Sequence, residues 1–338
     1  MKPAADMILL AHGGGGLKTR ELIQSLILRH LGNPILATLS DSAIVALPGG
    51  ALAFTTDSYV ITPLFFPGGD IGRLSVCGTV NDLVMQGARP LYLSLGLILE
   101  EGLPMADLDR IVQSLAATAH EAGVSVVTGD TKVVERGKGN GVFINTAGIG
   151  VPLPSLDLRA RNVRPGDAVI VTGTLGDHGA AIIATRESLS LSTPLVSDAA
   201  PLWSLLQPVL DPALNLRWMR DPTRGGAATA LCDLAESVRL GIRIREKTIP
   251  IRPAVTGICR LLGLDPLTVA NEGKAILVCA EQDRDPILAR LRRHPLGRHA
   301  ECIGQITDAH PGLVVLETAA GGERIVEMPV GENLPRIC

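Results

Sequence analysis

Aromatic side chains are nearly absent: two Trp, two Tyr and four Phe make up 2% of 338 residues. A core without large rings must be assembled from Leu, Ile, Val and Ala, and the 46% hydrophobic content supplies them. Basic charge is not in surplus either. A net charge of −3 and a pI near 6.2 leave no cationic stripe for nucleic acid. No apolar run approaches the ~20 residues that a membrane-spanning helix needs. The stretch Met7-Ile8-Leu9-Leu10-Ala11 is too short for a signal peptide and runs straight into glycines. The six cysteines (Cys77, Cys232, Cys259, Cys279, Cys302 and Cys338) are scattered, with no C-x-x-C pair and no metal-ligand spacing. Five of them lie in apolar or helical segments, where cysteine behaves as a small buried hydrophobe. The composition predicts a soluble, cytoplasmic protein with reduced thiols, partnered by neither nucleic acid nor membrane.

What is present is an alternation of strand-like and helix-like segments in a chain long enough for two domains, which predicts an α/β (α+β) architecture. Strands are expected over residues 51–56, 91–99, 124–127 and 142–151, the third of them ending at Thr128-Gly129-Asp130. Residues 104–120 read as a helix with Leu108, Ile111, Val112, Leu115 and Ala119 on one face, stopped by Gly123. A proline-rich, basic stretch over 151–166 marks the interdomain boundary. Beyond it come a strand over 168–172, a helix from Asp177-His178, a helix over 225–238 and a strand over 275–280. Residues 313–318 and 323–328 form a closing hairpin. The resulting division is 1–40 (glycine-rich segment and helix), 41–155, 156–310, and 311–338 (hairpin and tail).

Five features carry possible chemistry. His12-Gly13-Gly14-Gly15-Gly16, ahead of an amphipathic helix over 17–31, reads either as an anion cradle or as an N-terminal hinge; Leu17 before Lys18 departs from a P-loop. Asp41, Asp57, Asp82 and Asp130, each beside small residues at an expected strand end or helix start, are hard oxygen donors suited to Mg²⁺ on nucleotide phosphates, or caps. In Arg220-Asp221-Pro222-Thr223-Arg224-Gly225-Gly226, Asp221 or Thr223 caps a helix, and Arg220 and Arg224 suit phosphate oxygens or stand as solvated charges. Asn271-Glu272-Gly273-Lys274 reads as a general base at a site edge or as a turn with a surface ion pair. Finally, Pro335-Arg336-Ile337-Cys338 ends the chain in a thiol, either a frayed end or the strongest nucleophile a protein carries.

Taken in order, Thr56-Asp57-Ser58, Pro67-Gly68-Gly69-Asp70-Ile71-Gly72, Cys77-Gly78-Thr79-Val80-Asn81-Asp82-Leu83, Val127-Thr128-Gly129-Asp130-Thr131-Lys132-Val133, Asp221-Pro222-Thr223-Arg224-Gly225-Gly226, Asn271-Glu272-Gly273-Lys274 and the terminal Cys338 resemble the HypE family. That family makes the cyanide ligands of nickel–iron hydrogenase. The resemblance covers essentially the whole chain, with one slight departure at Gln86, where the family often has an apolar residue. It extends to the wider superfamily of aminoimidazole ribonucleotide synthetase, selenophosphate synthetase and thiamine-monophosphate kinase. The resemblance implies a two-domain PurM-like architecture: an N-terminal α/β domain forming the dimer sheet, a C-terminal α/β domain, and a flexible C-terminal tail.

The resemblance further implies that Asp41, Asp57, Asp82, Asp130, Thr131 and Asp221 bind ATP phosphates. Asp41, Asp57, Asp82 and Asp221 would hold Mg²⁺, and the loop of Gly14 and Gly15 would close over the nucleotide. Cys338 would accept a carbamoyl group from the carbamoyltransferase HypF, and ATP would drive its dehydration to a thiocyanate for delivery to a HypC–HypD complex. Glu272 is the nominated base and Lys132 its electrostatic partner. A homodimer is expected. Selenophosphate synthetase is disfavoured because no cysteine precedes Cys77, and a thiamine-phosphate-type kinase has no use for a terminal thiol.

Overall fold

Strands Ala168–Val171 and Ile276–Cys279 are buried at every residue, as central strands covered on both faces must be, whereas Val142–Pro152 alternates between core and surface. The two patterns mark two sheets in this computed structural model, which describes residues 10–14, 16–31, 33–48, 50–154, 156–189, 194–331 and 337–338. The first sheet is built from β1 (Ala43–Leu47), β2 (Gly50–Tyr59), β5 (Ala88–Glu100), β6 (Ser125–Val134) and β7 (Val142–Pro152) in the order β1-β2-β7-β5-β6; β3 (Phe65–Phe66) and β4 (Gly69–Asp70) pair separately. The second sheet contains β8 (Ala168–Val171), β9 (Leu216–Arg220), β10 (Gly241–Arg245), β11 (Ile276–Cys279), β12 (Glu301–Thr307), β13 (Val314–Glu317) and β14 (Glu323–Val326), ordered β14-β13-β10-β12-β8-β11-β9. The mixed α/β architecture expected from the alternating pattern is what forms.

Between the sheets lies the helix Ile71–Met85. Asp70 caps it, its Oδ1 accepting from the N–H groups of Gly72 and Arg73 at 2.7 and 3.1 Å. Thirteen of its fifteen residues are buried, because it is covered by the first sheet, by the helix Met105–Ala122 and by the second half of the chain. Met105–Ala122 ends at Gly123 in the left-handed conformation, and Ile111, Leu115 and Ala119 are buried as their spacing predicts; Val112, at 41% exposure, faces solvent instead. A single apolar cluster runs through both halves, joining Val76, Val80, Leu93 and Leu115 to Leu205, Leu277 and Leu291. The two halves therefore share one core.

Three expectations are corrected. The strand at 124–127 does not stop at Thr128-Gly129-Asp130 but continues to Val134, because parallel pairing with β5 overrides the local turn residues. The segment over 17–31 is helical throughout, with a π turn at Ile23–Ile27, yet it buries none of its residues, so its apolar face is not covered within the chain. The hairpin of β13 and β14 forms, and it is the edge of the second sheet rather than part of a separate tail, since β13 pairs in parallel with β10.

The last two residues return to the first half. Ile337 bridges to Ile61, and the Val60 N–H donates to the Cys338 carbonyl at 3.2 Å. Pro335 and Arg336 lie outside the described residues, as do Met7, Ile8 and Leu9.

Candidate active site

Alternation along β2 turns its odd-numbered residues toward the helix Ile71–Met85, so Asp57 shares a face with buried Ala53, Thr55 and Tyr59. Asp82 projects from that helix. Gly78, one turn earlier, allows the close approach: a Cβ there would sit 2.4 Å from the Tyr59 hydroxyl. Asp41 lies two residues before β1, and Asp221 immediately follows β9. Asp57 and Asp82 thus lie within regular elements, β2 and the helix Ile71–Met85, where a strand end or helix start was expected. Asp221 and Thr223 cap nothing. The helix Gly226–Val238 begins instead at Gly225 and Gly226, both at positive φ, where the chain turns sharply after Arg224.

Thr55 joins two of the carboxylates. Its Oγ1 lies 2.9 Å from the Asp41 carbonyl and 2.8 Å from Asp82 Oδ2. One hydroxyl proton cannot serve both, but a protonated Asp82 can donate to Thr55 while Thr55 donates to the carbonyl. The electrostatics agree. Desolvation, then Asp221, Asp57 and Asp41, push the Asp82 carboxyl well above its ordinary range. Asp221 is raised well above its range by desolvation and by Asp41, with Arg220 opposing. Asp57 is raised by desolvation, with Arg224 the largest opposing influence. Arg220 is not free for a phosphate, as the sequence had suggested: Nε donates to Asp41 Oδ1 at 3.0 Å, Nη1 to Asp233 at 3.2 Å and Nη2 to the Leu39 carbonyl at 2.8 Å.

Glu272 completes the acidic set from the loop before β11. It is buried, and its Oε1 has no hydrogen-bond partner; Ser42 Oγ, beside Asp41, is likewise buried and unpartnered. Desolvation, Asp221 and Asp57 raise the Glu272 carboxyl well above its ordinary range. Lys274, expected in a surface ion pair, is buried and bound to Asp198 at 2.9 Å.

Cys338 meets this set directly. Burial raises its thiol well above the ordinary cysteine range, with Arg224 opposing and the charges of Glu272 and Asp57 reinforcing. A protonated thiol, five carboxylates and two cations, Arg220 and Arg224, therefore share a single site.

Family models place the chain in the same frame. "AIR synthase related protein, N-terminal domain" matches residues 39–152, and "AIR synthase related protein, C-terminal domain" matches 164–316. The Carbamoyl dehydratase HypE of Cupriavidus necator is 50% identical over 97% of this chain and 94% of its own length. The chain belongs to the HypE carbamoyl dehydratase family. A solved HypE structure in complex with ATP is 47% identical, covers 98% of this chain and all of its own, and superposes with a TM-score of 0.83. A HypE–HypF complex contains a chain 43% identical, covering 91% of this one and 99% of its own, with a TM-score of 0.86.

Of the residues expected from the HypE resemblance, Asp41, Asp57, Asp82, Asp221, Glu272 and Cys338 come together. Asp130 and Lys132 do not join them. They pair with each other at 2.8 Å on β6 and are in register with Gly96 and Ile98, on the sheet face turned away from the helix Ile71–Met85. β5 and β7 separate β6 from β2, roughly 14 Å across the sheet. Thr131 is exposed on the same strand. Gly14 is buried in the N-terminal segment, Gly15 lies outside the described residues, and neighbouring Gly16 packs against Pro329, where Leu17 N–H donates to the Pro329 carbonyl at 3.0 Å. Among the described residues, no three His, Cys, Asp or Glu side chains converge closely enough to hold a metal ion by themselves. Sequence reasoning missed Thr55, Ser197 and Asp198, which carry no spacing signal of their own.

Proposed function

We propose that the chain performs ATP-dependent dehydration of an S-carbamoyl group carried on its own Cys338, yielding a thiocyanate for nickel–iron hydrogenase maturation. The observation that carries this reading is the return of the tail to the acidic set, pinned at Ile61 and Val60, which leaves the Cys338 thiol within electrostatic reach of Glu272, Asp57 and Arg224. A nucleophile kept protonated beside a carboxylate is poorly placed to attack anything. It is well placed to carry a group whose protons must be removed.

The overall change is thiocarbamate plus ATP to thiocyanate, ADP and phosphate, both N–H protons leaving. ATP supplies the leaving group, since its γ-phosphoryl takes the amide oxygen away as phosphate. Glu272 is the base for the N–H protons; burial and its acidic neighbours raise its proton affinity above that of an ordinary carboxylate, which makes it the stronger base. Arg224 offsets negative charge beside the sulfur-bound group. Asp41, Asp57, Asp82 and Asp221 fit Mg²⁺, because they are hard donors whose mutual repulsion Arg220 and Arg224 only partly offset. Mg²⁺ ordinarily takes one or two carboxylates plus phosphate oxygens, so a three-ligand protein cage is not required.

HypF is the proposed carbamoyl donor, supported by the solved HypE–HypF complex, and HypC–HypD the proposed acceptor. We also infer a homodimer through the outer face of the first sheet. Phe54, Tyr92 and Ile98 each stand about 45% exposed there. Asp130, Thr131 and Lys132 on β6 would then serve a site completed by a second copy. The test is intact-mass analysis of the tail peptide after incubation with a HypF carbamoyl donor system and then ATP. The Cys338 adduct loses one water on adding ATP; an adduct of unchanged mass rejects the dehydratase reading.

A further inference from the structure

The tail is gripped by one side chain from the second half of the molecule. His178, second residue of the helix Asp177–Arg186, is fully buried and uses both ring nitrogens: Nδ1 lies 2.8 Å from Ser197 Oγ, and Nε2 meets the Ile337 carbonyl. A carbonyl only accepts, so Nε2 carries the hydrogen and Nδ1 accepts from the Ser197 hydroxyl. Burial lowers the affinity of this imidazole for a second proton, in keeping with the neutral form. Phe66 stands edge-on to the ring at 5.6 Å. The Ile337 side chain, 4% exposed, fills a pocket among Ile61, Ile71, Ile182 and Ala270. The described part of the tail is also held by the Ile61 bridge and the bond from Val60.

Ser197 is joined to the rest of the site through its own loop. The next residue, Asp198, accepts from the Glu272 N–H at 3.0 Å and from Lys274 Nζ at 2.9 Å. Asn81, beside Asp82, donates to the Ala200 carbonyl at 3.1 Å and accepts from Leu202 N–H at 2.8 Å. Residues 197–202 thus hold the clasp on the tail, the backbone of Glu272 and the acid-bearing helix in one frame.

We propose that His178, oriented by Ser197, is a positioning residue that clasps the Ile337 carbonyl and so seats Cys338 against Glu272. The clasp is a property of tail docking; only its purpose rests on the dehydratase reading. Without the Nε2 donor the carbonyl loses its partner inside an apolar pocket, and the tail spends more time undocked.

The test measures alkylation of Cys338 by iodoacetamide in the full chain, resolved from the other five cysteines by peptide mass. His178→Ala is expected to speed Cys338 alkylation roughly tenfold, with ATP affinity unchanged. Ser197→Ala gives a smaller increase. His178→Gln, whose amide can still donate to the carbonyl, restores much of the protection, which a merely space-filling role would not predict. Folded His178→Ala and Ser197→Ala chains that alkylate at the parent rate overturn the clasp. If His178→Ala does not fold, Ser197→Ala alone decides. Alkylation is measured without carbamoyl donor or ATP, so a parent chain that never dehydrates its adduct sinks the dehydratase reading and leaves this result standing.

Discussion

Two groups of buried carboxylates adjoin Glu272 and are held in opposite ways. Asp198 has a cation of its own: Lys274 and its hydrogen bonds hold its carboxyl below the ordinary range, although desolvation pulls the other way. Asp82, Asp221 and Glu272 are buried against one another and driven well upward. The compensated group is a finished piece of structure that fixes the Glu272 backbone. The uncompensated group is unfinished without added positive charge, and a site that binds a metal–nucleotide complex needs that property.

The contrast breaks most visibly at Asp198. Asp198→Ala strands Lys274 in the interior and is expected to cost about 3–5 kcal/mol of stability, read by chemical denaturation. Asp82→Asn has the opposite sign. By relieving repulsion it should raise the Tm of the ligand-free chain by ~2–4 °C while weakening Mg-ATP binding, checked by scanning fluorimetry and calorimetric titration. A Tm that falls in Asp82→Asn would mean that the cluster is structural after all.

The pH dependence separates the groups further. Asp82, Asp221 and Glu272 keep protons in the folded chain that the unfolded chain has released, so their contribution declines as pH rises from the ordinary carboxylate range toward their raised values. Asp198 contributes fully above the ordinary range and loses that contribution as pH falls through its depressed value. The ligand-free Tm should therefore drop as pH rises above the ordinary carboxylate range, and the drop should shrink when Mg-ATP is present. The smallest effect lies at the thiol. Cys338 alkylation should titrate above the ordinary value of 9.0, and Glu272→Gln should shift the midpoint downward, since a negative neighbour disfavours the thiolate.

The regular elements were legible wherever periodicity was strong. β2, β5 and β7, the helix Met105–Ala122 and the closing hairpin all fall where alternation or an apolar stripe put them. β6 was cut short because Gly129-Asp130 is a turn signal locally, and only pairing with β5 reverses it. The acidic residues were visible through their small neighbours, but their grouping was not: Asp41, Asp57, Asp82, Asp221 and Glu272 meet only through packing of both halves. Asp198 left no trace in the sequence, its partner Lys274 being 76 residues away. Lys132 shows the limit of motif reading, since its motif placed it with the acids and the strand pairing turns it to the opposite face of the sheet.

The pocket that receives Ile337 has a consequence for any protein that handles this tail. Drawing Cys338 outward pulls an isoleucine from its seat, leaves a hole in the first sheet's core and wets an aliphatic surface. By transfer free energies that is a penalty of about 1.5–3 kcal/mol, so the unaided tail rests inward by a factor of roughly ten to a hundred. On the proposed dehydratase reading, a carbamoyl donor would recover that penalty by offering Ile337 an apolar berth of its own, close enough to its carbamoyl group for Cys338 to reach. Recognition of the Cys338 thiol would then begin one residue before it.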